Sequence, residues 1–84
     1  MAVVGLLTLE IRIEHSRSLK DRLRRRYSVS VAELEHQTTR KDSVVGVSTV
    51  ASNQAQVELV LRAMENSAAN RIGDHLVGSS WEIL

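Results

Sequence analysis

Apolar and polar side chains alternate along residues 3–13, near the start of the chain. The apolar side chains occupy odd positions, namely Val3, Leu7, Leu9, Ile11 and Ile13. Successive side chains of a strand point to opposite faces, so this pattern predicts a β-strand with one buried face. The even face begins with Val4 and Leu6 and then becomes polar, which is typical of a sheet with one open side. Helices from the rest of the chain must cover the other side.

A short basic helix is predicted next. Ser18, followed three residues later by Asp21, resembles a capping box, and Leu19 and Leu23 form a narrow apolar stripe that Tyr27 extends. The predicted helix covers residues 18–26 and measures about 14 Å. A crossover between parallel strands usually needs a dozen or more residues. This crossover is therefore short by about two turns.

Two strands follow, over residues 27–34 and 44–51, with a polar turn at residues 36–42 between them. The short connection favours an antiparallel hairpin. Gly46, inside the second of these strands, indicates a bulge or a close backbone approach.

The last third of the chain predicts a helix and a closing strand. Ser52 and Asn53 are good N-cap residues for a helix that ends near Ala69, and Gln56 lies three residues beyond Asn53. Its apolar stripe consists of Val57, Val60, Leu61, Met64 and Ala68. A strand over residues 76–84 is predicted to place Val77, Trp81 and Ile83 on one face.

The order of these elements predicts an α+β, ferredoxin-like βαββαβ sandwich. Its four-stranded antiparallel sheet has the order 4-1-3-2, and both helices lie on one face. The 84 residues suffice for one domain over residues 1–84. The chain has no cysteine, which excludes disulfides and thiolate metal sites. Because no charged leader or long apolar span is present, we expect a cytoplasmic protein that does not contact a membrane.

The charge is strongly polarised, since residues 17–26 carry a net charge of +5 and the rest of the chain carries −4. The basic side chains are Arg17, Lys20, Arg22, Arg24, Arg25 and Arg26. Like charges three or four positions apart on a helix repel each other, so a face that served solubility alone would mix the signs. We expect these side chains to bind phosphates of RNA or of a ribosomal particle.

Two alternatives to nucleic-acid binding stay open for the basic helix. It can bind an acidic protein surface, including one on a second copy that contains Glu10, Glu33 or Glu35, or it can be a solvated face without a partner. The open sheet face lacks the aromatic residues on which RNA-recognition domains stack bases. Val4 and Leu6 are therefore predicted to form an oligomer face, which makes a homodimer a further expectation.

Three histidines, His15, His36 and His75, are predicted near one edge of the sheet, close to Glu14 and Glu35. Imidazole and carboxylate groups are metal ligands, but histidines in polar loops are usually just exposed, and no His-x-x-x-His spacing occurs. We expect no metal and no cofactor. Nucleophile-elbow, phosphate-loop and dinucleotide motifs are also lacking. Neither an enzyme nor a small-molecule substrate is therefore expected.

Several segments resemble the YlxP-like family (DUF503) of small bacterial proteins of unknown function. They are residues 3–13, 15–16, 18–24, 29–33 and 82–84. The resemblance implies a ferredoxin-like fold. The family's genes often lie beside those for transcription elongation, translation initiation and ribosome maturation factors. This position implies, by association, a function connected with RNA or the ribosome. The resemblance implies no activity and no catalytic residues.

Members of that family typically carry a longer first helix. The resemblance and the short crossover both predict that a basic segment is missing between Ser16 and Arg17. In that case Ser18 lies inside a helix, and its resemblance to a capping residue is accidental.

Overall fold

A computed structural model describes residues 1–36 and 41–84 of the chain, with the backbone alone for residues 35 and 36. Its elements are β1 (Val3–Arg12), α1 (Ile13–Arg26), β2 (Ser30–His36), β3 (Asp42–Ala51), α2 (Gln54–Ile72), a 3₁₀-helix (Gly73–His75) and β4 (Leu76–Ile83). Most of the predicted turn at residues 36–42 lies outside the described residues.

The four strands form one sheet with the order β2-β3-β1-β4, and every neighbouring pair is antiparallel. This is the predicted order 4-1-3-2 counted from the opposite edge. The ferredoxin-like βαββαβ fold is thus confirmed. In the centre of the sheet, Leu7 of β1 lies opposite Val47 of β3 and Trp81 of β4.

The core lies between the odd face of β1 and the two helices. Leu7, Leu9 and Ile11 have no exposed surface, and they form one cluster with Leu19 and Leu23 of α1. The helix α2 adds Val57, Leu61, Met64, Ala68 and Ile72. Complete burial of a leucine or isoleucine side chain contributes about 1.5–3 kcal/mol. In the described parts of the chain, neither helix is long and apolar enough to cross a bilayer.

The predicted start of the first helix is wrong. The strand β1 ends at Arg12, and α1 begins at once at Ile13, whose N–H donates to the carbonyl of Lys41 at 2.6 Å. Ser18 therefore lies inside the helix and does not cap it. The helical periodicity of the first turn is not visible as an apolar pattern, because the buried position before Leu19 and Leu23 is occupied by a polar residue, Ser16.

The longer helix also removes the geometric argument for missing residues. Fourteen residues span about 21 Å, which meets the usual length of a crossover. A missing segment between Ser16 and Arg17 stays a prediction, and it now depends on the family resemblance alone.

The predicted shared face of the last strand is wrong at Val77. The pairing of β1 with β4 shifts between Glu10 and Ile11, which leaves Val77 as an extra residue opposite the shift. Val77 is 49% exposed, and Leu76 packs against the core with Trp81 and Ile83 instead. A β-bulge changes the face of every residue beyond it.

The second strand begins later than predicted, at Ser30, and includes His36. It carries a bulge as well, because its pairing with β3 shifts between Glu33 and Glu35. The side chain of the extra residue, Leu34, covers Gly46, where a Cβ atom would lie 2.8 Å from Leu34 Cδ1. The bulge thus lies in the partner strand β2, and a side chain approaches Gly46 instead of the backbone segment that was predicted as the alternative.

The helix α2 starts as its sequence indicates and ends three residues later than predicted. The Oδ1 atom of Asn53 accepts a hydrogen bond from the Gln56 N–H at 2.8 Å, so the predicted N-cap is confirmed. The helix continues three residues beyond Ala69 and ends at Gly73, whose φ of 53° suits a residue without a Cβ atom.

We predict that Gly5→Ala destabilises the fold by about 1–3 kcal/mol, the usual cost of overpacking. A Cβ atom at Gly5 would overlap Val57 Cγ1 and lie 2.8 Å from Leu61 Cδ1, so these buried side chains of α2 would have to shift. Urea denaturation measures the change in the free energy of unfolding.

Gly78→Ala is the matched control. A Cβ atom there would meet Glu10 Oε2 alone, at 3.7 Å, so the free energy of unfolding should change by less than about 0.5 kcal/mol. Equal effects of the two substitutions would contradict the close packing of α2 on Gly5.

Candidate nucleic-acid interface

The helix α1 divides into a buried stripe and an exposed basic surface. Ser16, Leu19 and Leu23 face the sheet. Arg24, Arg25 and Arg26 occupy the last turn, where the carbonyl end of the helix attracts positive charge. We call the exposed arginine-rich surface of α1 the basic face, formed by Arg17, Arg22, Arg24, Arg25 and Arg26.

Lys20, the sixth of the predicted phosphate ligands, lies away from this face. Its side chain is only 19% exposed, and its Nζ lies 3.7 Å from Glu33 Oε2. Glu33 Oε1 also accepts a hydrogen bond from Ser43 Oγ, and the Ser16 hydroxyl donates to Ser43 Oγ at 3.4 Å. Lys20 thus belongs to a polar network that ties α1 to β2 and β3.

Two arginines of the basic face are partly engaged within the chain. Arg24 Nη1 lies 3.6 Å from Asp21 Oδ1, and Arg24 Nη2 donates to the carbonyl of Val31 at 3.1 Å. Arg25 Nε donates to the carbonyl of Asp21 at 3.3 Å. Both side chains remain exposed, so each has further N–H groups for an external acceptor.

Arg22 and Arg26 line a groove of about 330 Å³ between the two helices. Tyr27 also lines the groove, and α2 contributes Ala63, Asn66, Ser67 and Asn70. The Nε atom of Arg22 is buried and has no hydrogen-bond partner among the described residues. A buried N–H without an acceptor costs about 1–3 kcal/mol.

The walls of this groove favour anions. Guanidinium groups only donate hydrogen bonds, while amide and hydroxyl groups can donate as well as accept. Farther along the helix pair, Arg71 Nη2 of α2 donates to Ser18 Oγ at 3.3 Å. This adds a cation from α2 beside the basic face.

The contribution of α2 to the groove was not predicted from the sequence. Ala63, Asn66, Ser67 and Asn70 recur at i, i+3, i+4 and i+7, which places them on one face of a helix. That signal was present in the sequence. It did not indicate a site by itself, because the sequence does not show which residues of α1 lie opposite this face of α2.

The open sheet face carries the predicted oligomer residues. Val4 and Leu6 are half-buried, and they lie opposite Val50 and Ser48 of β3. Val50 is 62% exposed, and Leu34 and Leu84 are exposed as well. Among the described residues, both aromatic side chains, Tyr27 and Trp81, pack against the core instead. The open face therefore has no platform on which bases could stack.

Two of the three histidines come together. The rings of His15 and His75 are stacked with centroids 4.1 Å apart, and Glu14 lies beside them. His36 ends β2, which is the edge strand opposite β4. Its side chain lies outside the described residues, as does that of Glu35.

Comparison with known proteins identifies the family. The family model described as "Protein of unknown function (DUF503)" matches residues 4–80. The chain belongs to this family. The resemblance to DUF503 seen in the sequence is thereby confirmed over residues 4–80. No curated protein matches this DUF503 chain.

A solved structure shares the fold of the DUF503 chain. It is a de novo designed protein, Foldit4, with a TM-score of 0.65 and 18% sequence identity over 100% of this chain and 94% of that one. At this identity the likeness shows the fold alone.

We predict that Arg22→Met leaves the free energy of unfolding unchanged or raises it by up to about 1 kcal/mol. The methionine keeps the apolar stem and removes the buried N–H that has no acceptor. Urea denaturation measures the difference.

Lys20→Met is the matched comparison, because it removes the charge that faces Glu33. It should lower the free energy of unfolding by about 1 kcal/mol, the upper end for a partly exposed ion pair. If Arg22→Met destabilised the fold as much as Lys20→Met does, the guanidinium of Arg22 would have a structural role.

Proposed function

We propose that this chain is a non-enzymatic, cytoplasmic protein that docks on structured RNA, alone or in a ribosomal particle. The basic face of α1 and the groove beside α2 bind the phosphates of the RNA. The observation that carries the proposal is the cluster of arginines on the basic face, of which Arg22 and Arg26 line a groove together with amide and hydroxyl side chains of α2.

Phosphate is the anion that suits this surface best. Guanidinium groups bind phosphate oxygens through two parallel hydrogen bonds. The arginines extend from position 17 to position 26, which corresponds to about 14 Å along the helix axis. A polyanion with regularly spaced charges can contact several of them at once. Asp21 is the acidic residue within this stretch, and Arg24 lies beside it.

The mode of binding follows from the side chains on each surface. The open sheet face lacks aromatic side chains among the described residues, so contacts to unstacked bases are not expected there. Phosphate contacts determine position but carry no sequence information. Binding should therefore depend steeply on salt and weakly on the RNA sequence.

We predict that Arg22→Gln combined with Arg26→Gln weakens binding to a labelled RNA stem-loop and flattens its salt dependence. Each lost phosphate contact should reduce the slope of log affinity against log salt by about 0.7–0.9. Fluorescence anisotropy across a range of salt concentrations around 0.15 M measures both the affinity and the slope.

The matched control is Lys41→Gln combined with Arg62→Gln, which removes two positive charges outside α1. Arg62 lies over the Trp81 ring, and Lys41 precedes β3. This variant should keep most of the affinity and the wild-type slope. Equal losses in the two variants, or binding of polyglutamate as tight as that of RNA, would contradict the proposal.

The exposed apolar residues of the open sheet favour a second candidate function, a homodimeric interaction module. Val50, Leu34 and Leu84 are exposed beside the half-buried Val4 and Leu6. Clustered apolar side chains on a sheet face are typical of a protein interface. A dimer in which the basic face contacts Glu33 of a second copy is less favoured, because Glu33 already binds Lys20 and Ser43.

For this second candidate we predict that the wild-type chain sediments as a dimer and that Val50→Lys sediments as a monomer. Sedimentation velocity measures the difference. The charge would be buried at the centre of the interface, which is unfavourable. Leu59→Lys is the control, because Leu59 is 70% exposed and belongs to α2. A wild-type protein that sediments as a monomer at low and high salt would eliminate this candidate.

A further inference from the structure

The start of α1 and the 3₁₀-helix before β4 bring three potential metal ligands together. One donor atom of each residue, Glu14, His15 and His75, lies within 4.8 Å of the donor atoms of the other two. The rings of His15 and His75 are 28° from parallel, with centroids 4.1 Å apart. These residues lie 60 positions apart in sequence, so the fold itself creates the cluster.

The backbone around the cluster is held by regular structure. Leu76 pairs with Ile11 at the end of β1, so His75 comes directly before a paired residue. The chain then passes from Arg12 into α1 without a loop, which places Glu14 and His15 in the first helical turn. Gly73, with its positive φ, turns the end of α2 toward the same edge.

We propose that Glu14, His15 and His75 form a zinc site. Two imidazole nitrogens and one carboxylate oxygen are a donor set that binds Zn²⁺, with water in the fourth position of the tetrahedron. The proposal replaces the expectation, drawn from the sequence, that the histidines bind no metal. It concerns neither the groove nor the basic face, so it stands or falls independently of RNA binding.

The distances require only side-chain movement. Zinc bonds of about 2.0–2.1 Å place the donors of a tetrahedral site roughly 3.3 Å apart. Donors that start within 4.8 Å of one another must therefore close by at most about 1.5 Å. Glu14 and His75 are exposed and His15 is half-buried, so rotation about side-chain bonds can supply this movement.

The charges near the cluster both oppose and favour a cation. The amino end of α1 carries partial positive charge, which opposes the ion, and the carboxylate of Glu14 offsets it. Arg12 is directed toward Asp42, 3.6 Å away. Arg22 is seven residues beyond His15, about 10 Å farther along the helix axis. Most of the basic face is therefore distant from the zinc site.

A bound ion would join the start of the crossover helix to the segment that leads into the last strand. Zinc that binds the folded chain and not the unfolded one stabilises the fold by mass action. At a zinc concentration about one hundred times the Kd, the melting temperature of a domain of this size should rise by about 10–20 °C.

The test is calorimetric titration of the full-length, tag-free chain with ZnCl₂. We expect one ion per chain. His15→Ala and His75→Ala should each weaken binding by about one hundredfold or more, because even a residue that only supports a ligand is worth 10–100-fold. Glu14→Gln should weaken it at least about tenfold. His36→Ala and Glu58→Gln are the controls and should leave the Kd within about twofold.

A second measurement on the wild-type chain keeps the test decisive even if a variant folds poorly. Long-range ¹H–¹⁵N correlation spectra of the imidazole rings should show zinc-dependent shifts for His15 and His75 and none for His36. No binding at millimolar zinc, undiminished binding in both histidine variants, or an equal loss in His36→Ala would overturn the proposal.

Discussion

The central strand β1 must bury its odd face, and the rest of the molecule is arranged around that requirement. Leu7, Leu9 and Ile11 have no exposed surface, and the two helices together exclude water from them. Side by side, the helices leave a groove where their outer surfaces meet, and the arginines of one helix face small polar side chains of the other. The candidate site is thus a consequence of how the core is covered.

The residues of the basic stretch have different environments in the fold. Lys20 faces Glu33 and helps to hold α1 against the sheet, whereas Arg22 keeps a buried nitrogen without a partner among the described residues. A buried donor without an acceptor is unfavourable for folding. Such features are often found where binding requires them.

The sequence was sufficient to predict the order of the elements, the strand pairing and the N-cap at Asn53. These depend on local periodicity and on residues a few positions apart. The start of α1 was misplaced because Ser16 is buried through its contact with Ser43, 27 positions away. The groove depends on how distant elements meet, which single-sequence periodicity does not encode. The bulge at Val77 likewise arises from pairing between strands. The predicted topology did place His15 and His75 at one edge of the sheet, where their rings stack.

Both outer strands of the sheet carry a bulge, Leu34 in β2 and Val77 in β4. An unbroken outer strand offers a regular row of backbone donors and acceptors to which another chain can add, and this route leads to fibres. An extra residue interrupts that row and twists the strand. Copies of this chain are therefore hindered from joining their sheets edge to edge into a continuous polymer, even at high protein concentration.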